Sequence, residues 1–137
     1  MIHYIDTSAY LKLLVEEAES EALHDCLRAA RAHGHLIVSS ILIETELRRA
    51  GHRLGIAVDE IEAELSKLDI ISADDSTFVR AGNFPDPLLR SLDALHLAAA
   101  IECGATAMYS YDARQAAAAK NAGITVLAPG SLEAHPA

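Results

Sequence analysis

Tryptophan is absent from this chain, and aromatic residues make up only 4 % of it. With 51 % hydrophobic residues available, a core has to be built from Ala, Leu, Ile and Val. Cysteine is nearly absent too. Cys26 and Cys103 are too few and too isolated for a disulfide framework, and no C-x-x-C occurs, so a reducing cytoplasm is the expected setting. Basic residues are outnumbered, 11 Lys and Arg against 20 Asp and Glu, for a net charge of −9. That balance argues against a protein that grips nucleic acid with a broad basic face. It leaves open a nuclease whose surplus acids hold metal ions, because bound cations reverse the local charge. No apolar run approaches a membrane span. The first residues lack a basic stretch followed by a long apolar one, so no signal peptide is expected. Repeats, low-complexity linkers and a glycine-rich phosphate loop are also missing.

What remains is 137 residues with enough apolar content for one domain. Short strands are expected at 2–5, 36–40, 69–73, 105–111 and 124–128. Between them, helices are expected at 7–17, 18–34 (closed by Gly34), 41–51 (ended by Gly51), 58–68, 74–82, 91–104 and 112–123. The helix over 91–104 is apolar nearly all round and should be buried. Strands alternating with helices predict a three-layer α/β/α domain. Its centre should be a parallel sheet of about four to five strands, joined by right-handed crossovers. The tail 128–137, APGSLEAHPA, is turn-rich and is expected to be loosely held.

With so many acids, the informative ones are those placed where solvated charge is not expected. Asp6 ends the first strand and Asp112 ends the fourth, each at a helix start. Two such acids meet if their strands are neighbours, since ligands of open α/β sheets bind beyond the strands' carboxyl ends; two independent helix caps are the alternative. Along 41–50, at about 100° per residue, Leu42, Ile43, Leu47 and Ala50 define an apolar arc that contains Glu46. Glu44 falls on the polar side, four residues before Arg48, and reads as a solvated surface pair. In the helix at 91–104, Asp93 enters a face that should be packed, at a first-turn position where the helix dipole favours an anion. A cluster of Asp6, Glu46, Asp93 and Asp112 would repel itself without a cation. All-oxygen ligands suit a hard ion such as Mg²⁺ or Mn²⁺, and a carboxylate-held metal that activates water is suited to cutting phosphodiesters.

Four stretches, Y-I-D-T-S-A, S-S-I-L-I-E-T-E-L, D-A-L-H-L-A-A-A and Y-S-Y-D-A-R-Q-A-A-A-A, resemble the sequence blocks of the PIN domain. More narrowly, they resemble VapC-type ribonuclease toxins of bacterial toxin–antitoxin modules. The resemblance runs from residue 2 to about 128. It implies that Asp6, Glu46, Asp93 and Asp112 form the acidic site, with Asp6 and Asp93 as the principal metal ligands. It also implies Mg²⁺- or Mn²⁺-dependent endoribonuclease activity on an RNA substrate, homodimerisation, and inhibition by a cognate VapB-like antitoxin. That antitoxin would set a basic side chain against the acids. One departure is Ser110, where the family often has Thr two residues before the fourth acid; a hydroxyl is kept.

Other groups offer less chemistry. His33-Gly34-His35 reads as a solvated turn, and His96 as a residue packed beside the site rather than catalytic. Ser39 and Ser40 read as caps, and Cys103 as core filler. Arg48, Arg49, Arg53, Arg80, Arg90 and Arg114 are surface cations, some of which a dimer would gather beside the acids for phosphate binding. Two alternatives are weaker. A receiver-like module needs paired acids after the first strand and a Lys near a late strand end, whereas here Asp6 stands alone and Lys120 lies within a helix. An inactive PIN-fold scaffold fits poorly with four acids present.

Overall fold

The computed structural model describes residues 1–131. Its centre is a parallel sheet of β1 (Ile2–Ile5), β2 (Leu36–Ser40), β3 (Asp69–Ile71), β4 (Ala107–Tyr109) and β5 (Thr125–Leu127), in the order β3-β2-β1-β4-β5. Alternation along each strand assigns its side chains to two faces. Ile5, Ile37 and Tyr109 pack on one face with α1 (Thr7–Leu11), α2 (Ser20–Ala32), α3 (Leu42–Leu54) and α4 (Val58–Leu65). Tyr4, Val38, Met108 and Val126 pack on the other with α6 (Ser91–Glu102) and α7 (Ala113–Asn121). Helix α5 (Asp75–Gly82) lies against α6 through Ala81, Ala94, Leu95 and Ala98. As its all-round apolarity predicts, α6 is buried at every residue from Ala94 to Ala100. This is the expected three-layer α/β/α architecture.

Several boundaries differ from the sequence reading. The helix expected over 7–17 ends at Leu11, where the chain tightens into i→i−3 bonds such as Leu13 N to Tyr10 O (3.0 Å). The helix expected to end at Gly51 runs on to Leu54 and stops at Gly55, which adopts φ 72°. Gly51 instead serves packing, since a Cβ there would stand 3.1 Å from two side-chain carbons of Ile61 on α4. The last three strands are shorter than their apolar runs. Ser39 is not a cap, because its hydroxyl donates across the sheet to Ile5 O (2.7 Å). His35 is half-buried rather than solvated, its ring stacked on that of His3 at 4.4 Å. Residues 128–131 are anchored rather than loose. The Tyr111 hydroxyl donates to Pro129 O (2.8 Å), and Gly130 lies close against Ala22. The rest of that tail, 132–137, lies outside the described residues.

Candidate functional site

The central strand β1 pairs with β4, Ile5 opposite Tyr109, and the ladder ends with the Asp6 N–H donating to Tyr109 O (3.3 Å). Asp6 and Ser110 therefore leave the same end of adjacent strands. Asp6 is extended (φ −82°, ψ 167°), and its Oδ1 accepts from Ala9 N (2.8 Å) and Ser8 Oγ (3.0 Å). It caps α1, and it is also buried at the strand end, so the cap and site readings describe one residue. Only 2 % of Asp6 is exposed. Burial raises its pKa, against the opposing pull of the Ala9 N–H, His96, and the Ser110 and Ser8 hydroxyls. Asp112 caps α7 in the same way, accepting from Arg114 N (2.9 Å) and Gln115 N (3.0 Å), but it is exposed.

The other two acids come from the flanking helices. Asp93 sits half-buried in the first turn of α6. Its pKa is raised first by burial, then by the charges of Asp6, Asp112 and, more weakly, Glu46; His96 pulls the other way. The Asp93 carboxyl thus feels the charge of all three other candidates, and Thr7, the residue after Asp6, bonds Glu46, so these acids lie toward the carboxyl edge of the sheet. Glu46 reaches that edge from α3. Its Oε1 accepts from Thr7 Oγ1 (2.9 Å) and from His96 Nε2 (2.6 Å). Glu44 pairs with Arg48 at 3.5 Å, as its spacing predicts, but it is less open to water than expected, with 34 % of its side chain exposed. Arg48 also pairs with Glu62 on α4.

His96 is closer to the chemistry than its sequence context suggested. It is 1 % exposed and binds Glu46 directly, while its Nδ1 meets the Tyr4 hydroxyl at 2.5 Å. Tyr4 and Thr7 were not singled out in the sequence at all. A signal existed: a histidine inside a helix that should be buried must find polar partners, and three residues after Asp93 it lies on the same side of α6.

Among the described residues, no Lys or Arg forms an ion pair with Asp6, Asp93 or Asp112. Nor do three His, Cys, Asp or Glu side chains there already stand as a coordination shell. A buried carboxylate beside a second raised one, with no basic partner, nonetheless fits a hard divalent cation. Mg²⁺ takes one or two carboxylates and keeps several waters, so it needs no ready-made protein cage. Next to the acids an open groove of about 490 Å³ is lined by Ser8, Lys12, Arg53, Tyr111 and Asp112 among others. Of the surface cations considered from sequence, Arg53 is the one that lines it. Arg80 is committed to Glu102 (3.4 Å).

The PIN domain family model matches residues 3–121. The chain is 41 % identical over 135 residues to "Ribonuclease VapC35" of Mycobacterium tuberculosis, covering 93 % of this chain and 96 % of that protein. "Ribonuclease VapC46" of the same organism is 38 % identical over 129 residues, with 92 % and 96 % covered. Among solved structures, Rickettsia felis VapBC2 bound to a DNA fragment from its promoter superposes with a TM-score of 0.70 at 15 % identity, over 93 % of this chain and 98 % of that one. Mycobacterium tuberculosis VapC20, described as a Sarcin-Ricin loop cleaving toxin, gives 0.70 at 14 % identity, over 85 % and 94 %. At those identities the two structures speak to the fold alone.

Proposed function

This chain belongs to the PIN-domain family, in its VapC-type branch, and on that premise we propose that it is a divalent-metal-dependent endoribonuclease, the toxin of a type II toxin–antitoxin pair. The observation that supports the site assignment is the burial of Asp6 at the end of the central strand, with Thr7 beside it bonding Glu46 and with the charges of Asp6, Asp112 and Glu46 bearing on Asp93. Asp6 and Asp93 are the principal ligands of Mg²⁺ or Mn²⁺ in this reading; Glu46 and Asp112 complete the catalytic acids. The bound ion supplies charge neutralisation at the phosphate and a more acidic water. The chain's own part is positional. The Ala9 N–H and the Ser8 hydroxyl hold Asp6, Thr7 and His96 hold Glu46, and the first turn of α7 holds Asp112. In this reading Glu46 is the group that takes a proton from the attacking water. In the groove Arg53 offers a cation to the adjoining RNA strand, whereas Lys12 is paired with Glu17 (2.8 Å) and Glu19 (3.2 Å) and lies over the Tyr111 ring.

Partners follow from the same reading. Acids without a basic partner suit an antitoxin Arg, whose planar guanidinium binds a carboxylate bidentately. Phe78 and Val79 on α5, with Leu88 and Leu92 nearby, are exposed and are offered as the face of a homodimer. No described helix is long and apolar enough to cross a membrane; action in the cytoplasm is part of the proposal. The test is incubation of purified protein with an RNA pool in Mg²⁺, Mn²⁺ or chelator, followed by mapping of RNA ends. Cleavage with metal, lost in chelator and in a folded Asp6→Asn variant, is expected. Intact RNA in all conditions, or full activity of Asp6→Asn, overturns the proposal.

A further inference from the structure

We propose that His96 is a positioning residue for the Glu46 carboxylate, held by the Tyr4 hydroxyl in the tautomer that donates to it; this role rests on the nuclease reading above. The contacts begin in the backbone of β2. The Ser40 N–H donates to the Tyr4 hydroxyl oxygen (3.0 Å), that hydroxyl meets His96 Nδ1 at 2.5 Å, and His96 Nε2 meets Glu46 Oε1 at 2.6 Å. Counting donors sets the direction. An ionised Glu46 can only accept, so Nε2 carries a hydrogen; in the neutral ring Nδ1 is then an acceptor, and the Tyr4 hydroxyl, whose oxygen already takes the Ser40 N–H, donates to it. Tyr4 is fully buried, and a phenol keeps its proton at neutral pH.

Thr7 Oγ1 donates to the same Oε1 at 2.9 Å and lies 3.3 Å from Nε2. Glutamate has three side-chain torsions, and left unheld it spreads over many rotamers. Two donors converging on one oxygen remove that freedom before substrate arrives. The anchor is as rigid as the fold allows, because Tyr4 lies in the central strand and His96 in a helix buried on all sides. The three-residue step from Asp93 to His96 lets α6 present one acid and hold another.

The test compares His96→Leu, His96→Gln and Tyr4→Phe with the wild type, and adds His96→Leu to a Glu46→Gln background. Measured quantities are kcat and KM on a fluorogenic RNA with Mn²⁺, thermal melting, and the imidazole ¹⁵N signals of the metal-free protein. The expected tautomer is Nε2–H. His96→Leu should lower kcat about tenfold or more with KM for RNA within about twofold. His96→Gln, which can still donate to Glu46, should recover most of that loss. In the Glu46→Gln background, His96→Leu should cost less than about twofold, because the group it positions is already disabled. An Nδ1–H tautomer, an unaffected His96→Leu, or an equal loss in both backgrounds overturns the role. If His96→Leu does not fold, Tyr4→Phe decides it: a severalfold fall in kcat supports the role and no change overturns it. A wild type that cleaves no RNA with Mn²⁺ overturns the nuclease reading and this role with it. Cleavage by the wild type with His96→Leu unaffected overturns this role alone.

Discussion

Glu46→Gln and Glu44→Gln change one atom each, two residues apart on α3, and should have opposite consequences. At position 46 the amide keeps the volume and an acceptor oxygen for Thr7 and His96, at present 2.9 and 2.6 Å from Oε1. Hydrogen bonds to a charged group contribute about 1.5–3 kcal/mol and neutral ones about half that. Neutralising this acceptor therefore weakens two bonds by a total of about 1–3 kcal/mol. Glu46 also bears electrostatically on Asp93, and losing that repulsion returns part of the loss. A net change of about 0–2 kcal/mol corresponds to a melting shift of at most about 10 °C for a domain of this size. Cleavage should respond far more, by about 10²-fold or greater, as expected when a general base is removed. At position 44 the change removes one side of an ion pair with Arg48 at 3.5 Å, and Arg48 retains Glu62. That is worth a few tenths of a kcal/mol, with cleavage unchanged within about twofold. Single-turnover cleavage with Mn²⁺ and circular-dichroism melting measure both. A disabled Glu44→Gln beside an active Glu46→Gln would refute the helix phase on which the site rests.

Asp6 and Asp93 hold their protons to higher pH than ordinary carboxyls, mainly through burial. Across the interval from the unfolded Asp range up to those raised values the folded chain binds more protons, so their contribution to stability falls as pH rises through it. Metal-free Asp93→Asn should therefore melt above the wild type at neutral pH and lose that advantage in acid. Mn²⁺ should raise the melting temperature of the wild type more than that of the variant, and equal shifts would argue against Asp93 as a ligand. Gln115 is fully buried with both amide atoms unpartnered. Gln115→Leu should thus add about 1–3 kcal/mol of stability by chemical denaturation, and a loss would show that the amide has a partner. Gly51→Ala gains up to about 1 kcal/mol of helix propensity. It also drives a Cβ to 3.1 Å from Ile61, itself 3 % exposed. The crowding should win, lowering the melting temperature.

The parts of this fold legible in the sequence are those fixed by periodicity. The short apolar strands β1 and β4, the all-apolar run of α6 and the arc on α3 each follow from local apolar pattern, and each appears where expected. The errors came where tertiary contacts override local signals. Gly51 looks like a helix end because glycine favours C-caps, but here it makes room for Ile61. Ser39 looks like a cap because it precedes a helix, but its hydroxyl belongs to the β1–β2 pair. The positions of all four acids could be read locally. The partner that holds Glu46 could not, because His96 lies 50 residues away and only the packing of α6 over β1 brings the two together.

Asp6 serves as a helix cap, and why it is also buried has an energetic answer that reaches beyond that residue. Capping is worth about 1 kcal/mol, and an exposed Asp would supply it, as Asp112 does on α7. Burying Asp6 to 2 % exposure adds only desolvation cost to the same cap. In the proposed reading a divalent cation held by Asp6 and Asp93 would repay that burial, by reversing the field that raises both carboxyls. The cap bonds then act as orientation: with Oδ1 fixed by Ala9 N and Ser8 Oγ, little conformational freedom is left to lose when metal binds. On the proposed reading, metal affinity would be built into the first helical turn of the fold. A variant that keeps the Asp6 charge but loosens that turn, such as Ser8→Gly, should weaken Mn²⁺ binding while leaving the acids in place. Calorimetric titration with Mn²⁺ measures it, and an unchanged affinity would separate the cap from the site.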